Sequence, residues 1–289
     1  MLVLGVDIGG TKIAASQVRR SHPVEPLNSL VLPTRAAEGF GVSYGQVISA
    51  IEQCLTPEAE AIGICAPGPL NPKTGVVINP PNLPGWVNVP LAELVSKRFS
   101  LPCRVENDAN AAGLAETLFG AARGCSSVFY ATLSTGVGAG IILNGRIYHG
   151  RNGAAAEGGH VTIDYRSTAV CNCGVPGCIE ALASGTALAK RGLDPSALTE
   201  SELDDLATML GAWAGSVVSL LDPEIIVIGG GMARMGEPLF SRLRRIVPQR
   251  TINQFAGSTP IVPARLAEHV GVLGAAAVAF QELASYEPR

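Results

Sequence analysis

The sequence lacks a strong excess of charge of either sign. Its 289 residues include 21 lysines and arginines against 24 aspartates and glutamates, which gives a formal net charge of −3. A nucleic acid or an anionic membrane as the main partner would require a basic face on the protein. Neither partner is therefore expected, and the sequence has no block of like charge and no low-complexity segment.

The sequence also lacks the signature of a targeting or membrane-spanning segment at its start. The first ten residues, MLVLGVDIGG, are apolar except for Asp7, and they contain no basic residue. A secretory signal needs a basic start followed by an uninterrupted apolar run. A cytoplasmic protein that does not bind membranes is therefore expected.

The chain has seven cysteines, and they are unevenly placed. Cys54, Cys65, Cys103 and Cys125 are scattered among apolar neighbours, which is typical of reduced core thiols rather than of a disulfide framework. The other three lie close together in the stretch HVTIDYRSTAVCNCGVPGCIE, residues 160–180.

The clustered thiols predict a metal site. Cys171, Cys173 and Cys178 lie within eight positions, and the glycines beside them let the backbone turn tightly enough for three sulfurs to reach one ion. With His160 as the fourth ligand, the pattern predicts a closed tetrahedral zinc site, which would be structural because no coordination position stays open. Such a site would hold His160 and Glu180 in fixed places. The alternative is a set of ordinary buried thiols or a disulfide pair.

Apolar β-rich segments alternate with alanine-rich helical segments along the chain. Helices are predicted at residues 42–54, about 109–119 and about 203–220. The alternation favours an α/β fold with a largely parallel sheet in each of two parts, and a boundary near residues 107–125. Residues 66–90 are too rich in proline for a helix and predict an ordered loop with a short hairpin.

Three glycine-rich turns follow predicted strands. They are Gly9-Gly10-Thr11-Lys12 after strand 2–8, Thr135-Gly136-Val137-Gly138 after strand 128–134, and Gly229-Gly230-Gly231 after strand 225–228. Such turns leave backbone N–H groups uncovered, and the threonines add a hydroxyl, as a phosphate oxygen requires. The third turn would suit a nucleotide base or ribose. Each turn alone has a plain structural alternative, a hairpin turn or a strand-to-helix turn.

Seven motifs match a known family in order and spacing over nearly the whole chain. They are DIGGTK at 7–12, APGP at 66–69, NDAN at 107–110, STGVGAG at 134–140, EGGH at 157–160, CNCGVPGCIE at 171–180 and IGGG at 228–231. Together they resemble the ROK family of sugar kinases and repressors. The resemblance implies an α/β, two-lobed actin-like ATPase fold: duplicated ribonuclease-H-like sheets that close over a cleft for ATP and a hexose, with a structural zinc loop.

The resemblance also implies how the lobes divide the chain. Residues 1–107 would form a small lobe with the first phosphate turn and part of the sugar site. Residues 108–289 would form a large lobe with the catalytic-base helix, the second phosphate turn, the zinc loop and the nucleotide site, and its C-terminal helix would pack back on the small lobe. Repressor members carry a winged helix before the first sheet, and no room for one is expected before DIGGTK. A homodimer is the expected assembly, although the short segment 181–202 leaves the oligomeric state open.

The resemblance gives Asp108 the role of the carboxylate that takes the proton of the sugar hydroxyl. From the residues alone, the simpler interpretation of Asp108 is the N-cap of the following helix, and the two roles are compatible. The residues that match the family's sugar ligands are Asn107, Glu157, His160 and Glu180, with Gly68 and Asn82 as weaker candidates. Carboxylate and amide oxygens suit a polyol because they accept hydrogen bonds from its hydroxyls.

The same resemblance places the remaining motif residues near the nucleotide. Asp7 would lie near Mg²⁺, through water. The residues near the phosphates would be Gly9, Gly10, Thr11, Thr135, Gly136 and Gly138, and those near the base or ribose would be Gly230 and Gly231. Lys12 is either a further phosphate contact or a solvated strand residue.

These motifs together predict an ATP-dependent hexose kinase that converts glucose to glucose 6-phosphate with ATP, Mg²⁺ and a structural zinc ion. Alternative acceptors are fructose, N-acetylglucosamine and N-acetylmannosamine. The alternative from a different class is a non-catalytic sugar-sensing regulator, which would need the sugar ligands but not Asp108. A purely structural zinc protein leaves the glycine turns unexplained. Replacing Cys173 is expected to weaken sugar binding and to spare the phosphate contacts at Thr11 and Thr135.

Overall fold

The structure, a computed structural model, describes residues 1–21, 24–251 and 259–286. The chain divides into two compact units. Among the described residues, unit 1 comprises Met1–Gly120, His149–Gly153 and the chain from Leu266 onward, and unit 2 comprises Ala121–Tyr148 and Ala154–Arg265. Each unit has its own apolar core, built on one mixed sheet.

The sheet of unit 1 combines an antiparallel meander with two parallel strands. The strands of this unit are β1 (Leu2–Ile8), β2 (Lys12–Arg19), β3 (Pro26–Pro33), β4 (Ile62–Ala66), β5 (Leu70–Asn71), β6 (Val76–Val77) and β7 (Cys103–Asn107). The main sheet has the order β3-β2-β1-β4-β7; β2 is antiparallel to β1 and β3, and β4 is parallel to β1 and β7. β1 and β4 are apolar almost throughout because central parallel strands are covered on both faces.

The sheet of unit 2 repeats this arrangement. Its strands are β8 (Val128–Leu133), β9 (Val137–Leu143), β10 (Arg146–Ile147), β11 (Ile225–Gly229) and β12 (Ile261–Pro263). The order is β10-β9-β8-β11-β12, with antiparallel pairs on one side of β8 and parallel pairs on the other. The two sheets therefore share strand order and direction, which confirms the duplication predicted from the repeated strand, turn and strand.

Eight α-helices cover these sheets in the described residues. They are α1 (Phe40–Cys54), α2 (Leu91–Phe99), α3 (Asp108–Leu118), α4 (Ile179–Ala183), α5 (Gly185–Lys190), α6 (Glu200–Leu221), α7 (Glu237–Ile246) and α8 (Val270–Tyr286). The three helices predicted from sequence are confirmed as α1, α3 and α6. α6 begins a few residues earlier than predicted because Thr199 and Glu202 form a reciprocal capping box. Within the described chain, no helix has the length and apolar character needed to cross a bilayer.

The C-terminal helix α8 packs directly on the sheet of unit 1, and glycine permits the close approach. A Cβ on Gly63 of β4 would lie only 1.8 Å from the carbonyl oxygen of Ala275, and one on Gly5 of β1 would lie 2.2 Å from that of Val272. α8 also packs against α3. Residues 108–120 therefore belong to unit 1; the boundary after Gly120 lies within the range 107–125 predicted from the segment pattern, whereas the resemblance placed it after residue 107.

The proline-rich segment 66–90 is an ordered loop, as predicted. β5 and β6 form its short hairpin. Trp86 is fully buried, stacks edge-on to Phe40 at 5.4 Å between ring centroids, and donates from Nε1 to Ser43 Oγ at 2.7 Å. These contacts attach the loop to α1 and give Asn82, within the loop, a defined place.

Candidate active site

The carboxylate predicted to be the catalytic base lies at the start of α3. Asn107 ends β7 and is the N-cap: its backbone is extended, and its Oδ1 accepts from the N–H groups of Ala109 at 2.9 Å and Asn110 at 3.4 Å. Asp108 is the first helical residue, is exposed, and accepts from the same Ala109 N–H at 2.8 Å. The interpretation of Asp108 as the N-cap is therefore wrong, because Asn107 takes that role. The positive end of the helix favours a negative charge at Asp108.

The capping bonds also change what Asn107 can offer a ligand. Because Oδ1 is used by two backbone donors, the Nδ2 group is the part of the amide that can bind a sugar, and it is a donor. This differs from the acceptor role expected from sequence. A Cβ on Gly68 would lie 3.5 Å from Nδ2. Gly68 and Asn107, two predicted sugar contacts, are thus neighbours.

Asp7 lies at the end of β1 and is electrostatically coupled to Asp108. The pKa of Asp7 is raised to about 6, mainly by burial and secondly by the negative charge of Asp108. The positive charge of Lys12 opposes this shift. A cation near two such carboxylates would relieve their repulsion, and Mg²⁺ prefers oxygen ligands and commonly keeps several waters. Asp7 is therefore suited to hold Mg²⁺, directly or through water.

The first glycine turn joins β1 to β2 and is held by Thr34. The N–H of Gly9 donates to the carbonyl oxygen of Lys12 at 2.9 Å and closes the turn. The hydroxyl of the buried Thr34 donates to the carbonyl of Gly9 at 2.6 Å, and its N–H donates to the carbonyl of Thr11 at 2.9 Å. The exposed Thr11 and Lys12 thus lie on a turn whose shape is fixed from behind.

A buried carboxylate, Glu106, lies next to the start of α3. Its Oε1 accepts from the N–H of Asn107 and from Nδ2 of Asn110, both at 3.0 Å, and its Oε2 lies 2.6 Å from Nε2 of His149. His149 belongs to the short segment His149–Gly153 that is part of unit 1. Glu106 therefore ties the backbone of the N-cap to both α3 and this segment.

The second glycine turn joins β8 to β9 and is held by Glu180. The N–H of Val137 donates to Glu180 Oε2 at 3.0 Å. A Cβ on Gly136 would lie 2.6 Å from the same oxygen, so the carboxylate reaches the turn only because this residue is glycine. The N–H of Ser134 donates to the carbonyl of Gly136 at 2.9 Å, and Thr135 is exposed at the tip.

The third glycine turn lies beside the second because β11 is the parallel neighbour of β8. A Cβ on Gly230 would lie 2.3 Å from the carbonyl oxygen of Leu133, at the end of β8. Gly231 lines a cavity of about 650 Å³, a size typical of small-molecule sites. The other lining residues are Asp194, Pro195, Ser196, Leu198, Glu200, Leu203, Met232, Arg234, Met235 and Pro238.

The predicted zinc ligands converge in unit 2. The ligand atoms of His160, Cys171, Cys173 and Cys178 all lie within 4.8 Å of one another, and the three cysteines are free thiols. Two sulfurs bound tetrahedrally to one zinc ion lie about 3.8 Å apart, and a sulfur and an imidazole nitrogen about 3.5 Å apart. The observed distances are 3.7 Å between the sulfurs of Cys173 and Cys178, and 3.4 Å between Cys171 Sγ and His160 Nδ1. The residues fit a structural zinc ion, and no disulfide forms among them.

The zinc loop is shaped by glycine and attached by a tryptophan. Gly177 has φ +75°, and a Cβ there would lie 2.0 Å from a backbone carbonyl oxygen. Trp213 of α6 donates from Nε1 to the carbonyl of Gly158 at 2.9 Å, which holds the turn carrying His160. His160 presents Nδ1 to the cysteines, while its Nε2 lies 3.8 Å from Glu157 Oε2.

The structure gathers the predicted residues in two groups, one within each unit. Unit 1 holds Asp7, Gly9, Gly10, Thr11, Lys12, Gly68, Asn82, Asn107 and Asp108; unit 2 holds Thr135, Gly136, Gly138, Glu157, His160, Glu180, Gly230, Gly231 and the cysteine cluster. Gly10 packs on Asn82, whose Cβ a side chain at Gly10 would meet at 3.0 Å. Gly138 lies within β9, opposite Thr132, rather than in the turn itself.

Sequence reasoning missed three residues that support these groups. Thr34 gave no signal, because a threonine after a strand is commonplace. Glu106 offered one, since it follows Val105 in a predicted strand, and a carboxylate that is buried there needs a partner. That partner, His149, is 43 positions away and could not be identified from a single sequence.

The two sheets and their glycine turns define the actin-like ATPase fold, and comparisons with known proteins confirm this predicted fold class. The sequence model of the ROK family matches residues 3–282, and the chain belongs to the ROK family.

Several relatives are enzymes by name. The chain is 33% identical to a glucokinase of Thermotoga maritima over 96% of both chains. It resembles the solved structure of a ROK hexokinase from Thermus thermophilus, with a TM-score of 0.86, 35% identity and 99% and 100% of the two chains covered. It also resembles a ROK family glucokinase from Streptomyces griseus in complex with glucose and AMPPNP, with a TM-score of 0.78, 32% identity and 97% and 100% coverage.

One relative is a regulator by name. A putative xylose repressor of Caldicellulosiruptor is 31% identical over 78% of this chain and 63% of its own length. The enzymes match over nearly their full length, so the comparisons support a sugar kinase within a family that also contains repressors.

Proposed function

We propose that the protein is an ATP-dependent hexose kinase that transfers the γ-phosphoryl group of ATP to the 6-hydroxyl of glucose. The observation that carries the proposal is the exposed carboxylate of Asp108 at the start of α3, next to the N-cap Asn107 and electrostatically coupled to Asp7. A protein that only binds sugar has no use for such a carboxylate. The relatives named glucokinase favour glucose as the acceptor.

In the proposed reaction, Asp108 accepts the proton of the 6-hydroxyl as the hydroxyl oxygen bonds to the γ-phosphorus. The bond from that phosphorus to the oxygen bridging it to the β-phosphorus breaks, and ADP leaves. Mg²⁺, held near Asp7, would supply positive charge to the phosphates. Because Asn107 is the N-cap of α3, the exposed carboxylate of Asp108 is not required for that role and suits proton transfer.

We assign recognition of the sugar to side chains at the start of α3, at the start of α4 and in the loop that carries His160. Asn107 would donate from Nδ2, and the carboxylates of Glu157 and Glu180 would accept from hydroxyl groups. His160 would use Nε2, since Nδ1 points to the cysteines. Gly68 and Asn82 remain the weaker candidates. A mixture of donors and acceptors suits a polyol because each hydroxyl needs a defined partner once water is excluded.

We assign recognition of ATP to the three glycine turns. Thr11 and Thr135 would donate hydroxyl hydrogen bonds to phosphate oxygens, with the adjacent glycines leaving backbone N–H groups uncovered. Lys12, exposed at the start of β2, would add a positive charge. Gly230 and Gly231 would lie near the base or ribose, and the cavity that Gly231 lines has room for a base.

The proposal is tested by a coupled ADP-release assay over glucose, fructose, N-acetylglucosamine and N-acetylmannosamine, with a reaction lacking sugar to measure background ATP hydrolysis. We expect the highest kcat/KM with glucose. If another sugar gives the highest kcat/KM, the protein is still a hexose kinase, but glucose is not its preferred acceptor. Glucose binding by calorimetry without ADP release from any sugar would contradict the kinase and favour a sugar-sensing regulator.

A further inference from the structure

The segment that follows the last zinc ligand runs along the second glycine turn. Cys178 is the N-cap of the short helix α4, Glu180 lies in the first turn of that helix, and α5 begins at Gly185. Only seven residues thus separate the metal ligand Cys178 from Thr186, the last residue of this segment that bonds to the turn. The zinc cluster and the turn proposed to bind phosphate are therefore parts of one local structure within unit 2.

Three hydrogen bonds connect this segment to the turn. The N–H of Val137 donates to Glu180 Oε2 at 3.0 Å, the N–H of Gly185 donates to the carbonyl of Ser134 at 2.7 Å, and the N–H of Thr186 donates to the carbonyl of Thr135 at 3.2 Å. These bonds involve Ser134, Thr135 and Val137, and a Cβ on Gly136, the residue among them without such a bond, would lie 2.6 Å from the Glu180 carboxylate.

Glu180 connects the two sites through a single side chain. While Oε2 accepts from Val137, Oε1 lies 3.4 Å from Cys171 Sγ, one of the candidate zinc ligands. Cys178 also contacts the carbonyl oxygen of His160 through its sulfur at 3.3 Å. Loss of the metal would free Cys171 and Cys178 from their shared ion, and with Cys178 the start of α4, which carries Glu180.

We propose that the zinc cluster positions the second phosphate turn, through Glu180 and the Cys178–Thr186 segment, so that zinc supports ATP binding as well as sugar binding. This inference rests on the proposed function for the role of the turn, but the physical coupling does not depend on it. It differs from the expectation that loss of a zinc ligand would spare the phosphate contact at Thr135. The contact at Thr11 lies in unit 1 and has its own support from Thr34.

The coupling is tested by replacing Cys173, whose side chain is exposed and whose loss leaves little cavity, with serine. The matched control is Asn172→Ala, which changes an exposed neighbour in the same loop without removing a ligand. Three quantities are measured for each protein: zinc content, hydrogen exchange of the amides at 134–137, and affinity for a non-hydrolysable ATP analogue.

Wild type and Asn172→Ala should contain about one zinc ion per chain. Cys173→Ser should lose the zinc, exchange the Val137 amide roughly threefold to tenfold faster and bind the ATP analogue roughly tenfold more weakly. If zinc is lost while exchange at 134–137 stays unchanged, the coupling is overturned. If exchange increases in Cys173→Ser, but neither wild type nor this variant binds the ATP analogue, the coupling holds and the proposed function is contradicted.

A second measurement covers the case in which Cys173→Ser does not fold. Wild-type protein is stripped of metal with a chelator, and zinc is added back while exchange of the Val137 amide is followed. Protection should return with zinc in a one-to-one ratio. Protection that is the same with and without zinc would overturn the proposal. Glu180→Ala should lose the protection with zinc still bound, whereas Glu180→Gln, which keeps an acceptor oxygen, should retain most of it.

Discussion

The two units share strand order and direction, yet they hold their corresponding turns by different means. In unit 1 the turn between β1 and β2 is held by the hydroxyl and N–H of Thr34, which bond to the carbonyls of Gly9 and Thr11. In unit 2 the turn between β8 and β9 is held by the carboxylate of Glu180, which bonds to the N–H of Val137. Thr34 bonds to carbonyl groups of the first turn, whereas Glu180 bonds to an N–H group of the second turn, whose carbonyls at Ser134 and Thr135 accept from the N–H groups of Gly185 and Thr186.

The difference shows how a duplicated fold can acquire unequal roles. Unit 1 carries the coupled carboxylates Asp7 and Asp108, and the buried Glu106, paired with His149, bonds to the backbone N–H of the neighbouring Asn107. Unit 2 has its own histidine–glutamate pair, His160 and Glu157 at 3.8 Å, and it also carries the candidate zinc site. We therefore expect a change at Asp108 in unit 1 to affect the chemical step most, and changes at the glycine turns and around the zinc loop to affect binding mainly.

The largest expected effect is that of Asp108→Asn. Because Asn107 is the N-cap, the substitution should leave α3 intact, while loss of the general base should lower kcat by roughly two to four orders of magnitude. Glucose affinity, measured by calorimetry, should change little. The control is Asp205→Asn, an exposed aspartate on α6. Near-normal turnover in the Asp108 variant would show that this carboxylate is not the base.

A smaller effect is expected on the pH dependence of stability, from the raised pKa of Asp7. The folded-state pKa of about 6 exceeds the ordinary 3.8, so the stability that Asp7 contributes is present below about pH 4 and is lost as pH rises through 6. Asp7→Asn should therefore gain stability relative to wild type between pH 5 and pH 8, by at most about 3 kcal/mol.

The measurement for Asp7 is thermal unfolding of both proteins in the presence of a chelator. Adding Mg²⁺ with ATP at pH 8 should reduce the difference in unfolding temperature between the two proteins, because a cation favours the ionised carboxylate. An unfolding temperature difference that does not vary with pH would show that burial and the charge of Asp108 do not shift the pKa of Asp7 as described.

The smallest effect is expected for Thr34→Val, which keeps the shape of the side chain and removes the bond to the carbonyl of Gly9. A hydrogen bond of this kind contributes about 1 kcal/mol, so the KM for ATP should rise roughly threefold to tenfold with a smaller change in kcat. Thr34→Ser, which keeps the hydroxyl, should behave as wild type. Equal effects of the two substitutions would mean that packing, rather than this hydrogen bond, holds the first turn.

Much of this comparison could be predicted from sequence, because it depends on local patterns. The three glycine turns, the cysteine spacing and the periodicity of α1, α3 and α6 are all short-range signals. The support of each turn could not be predicted, because Thr34 and Glu180 reach their partners from 25 and 43 positions away. The same limit applies to Asn107, whose capping role depends on its side-chain rotamer. Motif matching alone gave it an acceptor role that the structure does not support.

The most direct test of the account is to identify the product. Purified protein is incubated with glucose, ATP and Mg²⁺, and the reaction is followed by phosphorus NMR, with 6-deoxyglucose as the matched control lacking the proposed acceptor hydroxyl. The account predicts ADP and a phosphomonoester at the 6-position of glucose, and no sugar phosphate from 6-deoxyglucose. A phosphate ester at another position, or ADP and inorganic phosphate without any sugar phosphate from either sugar, would contradict it.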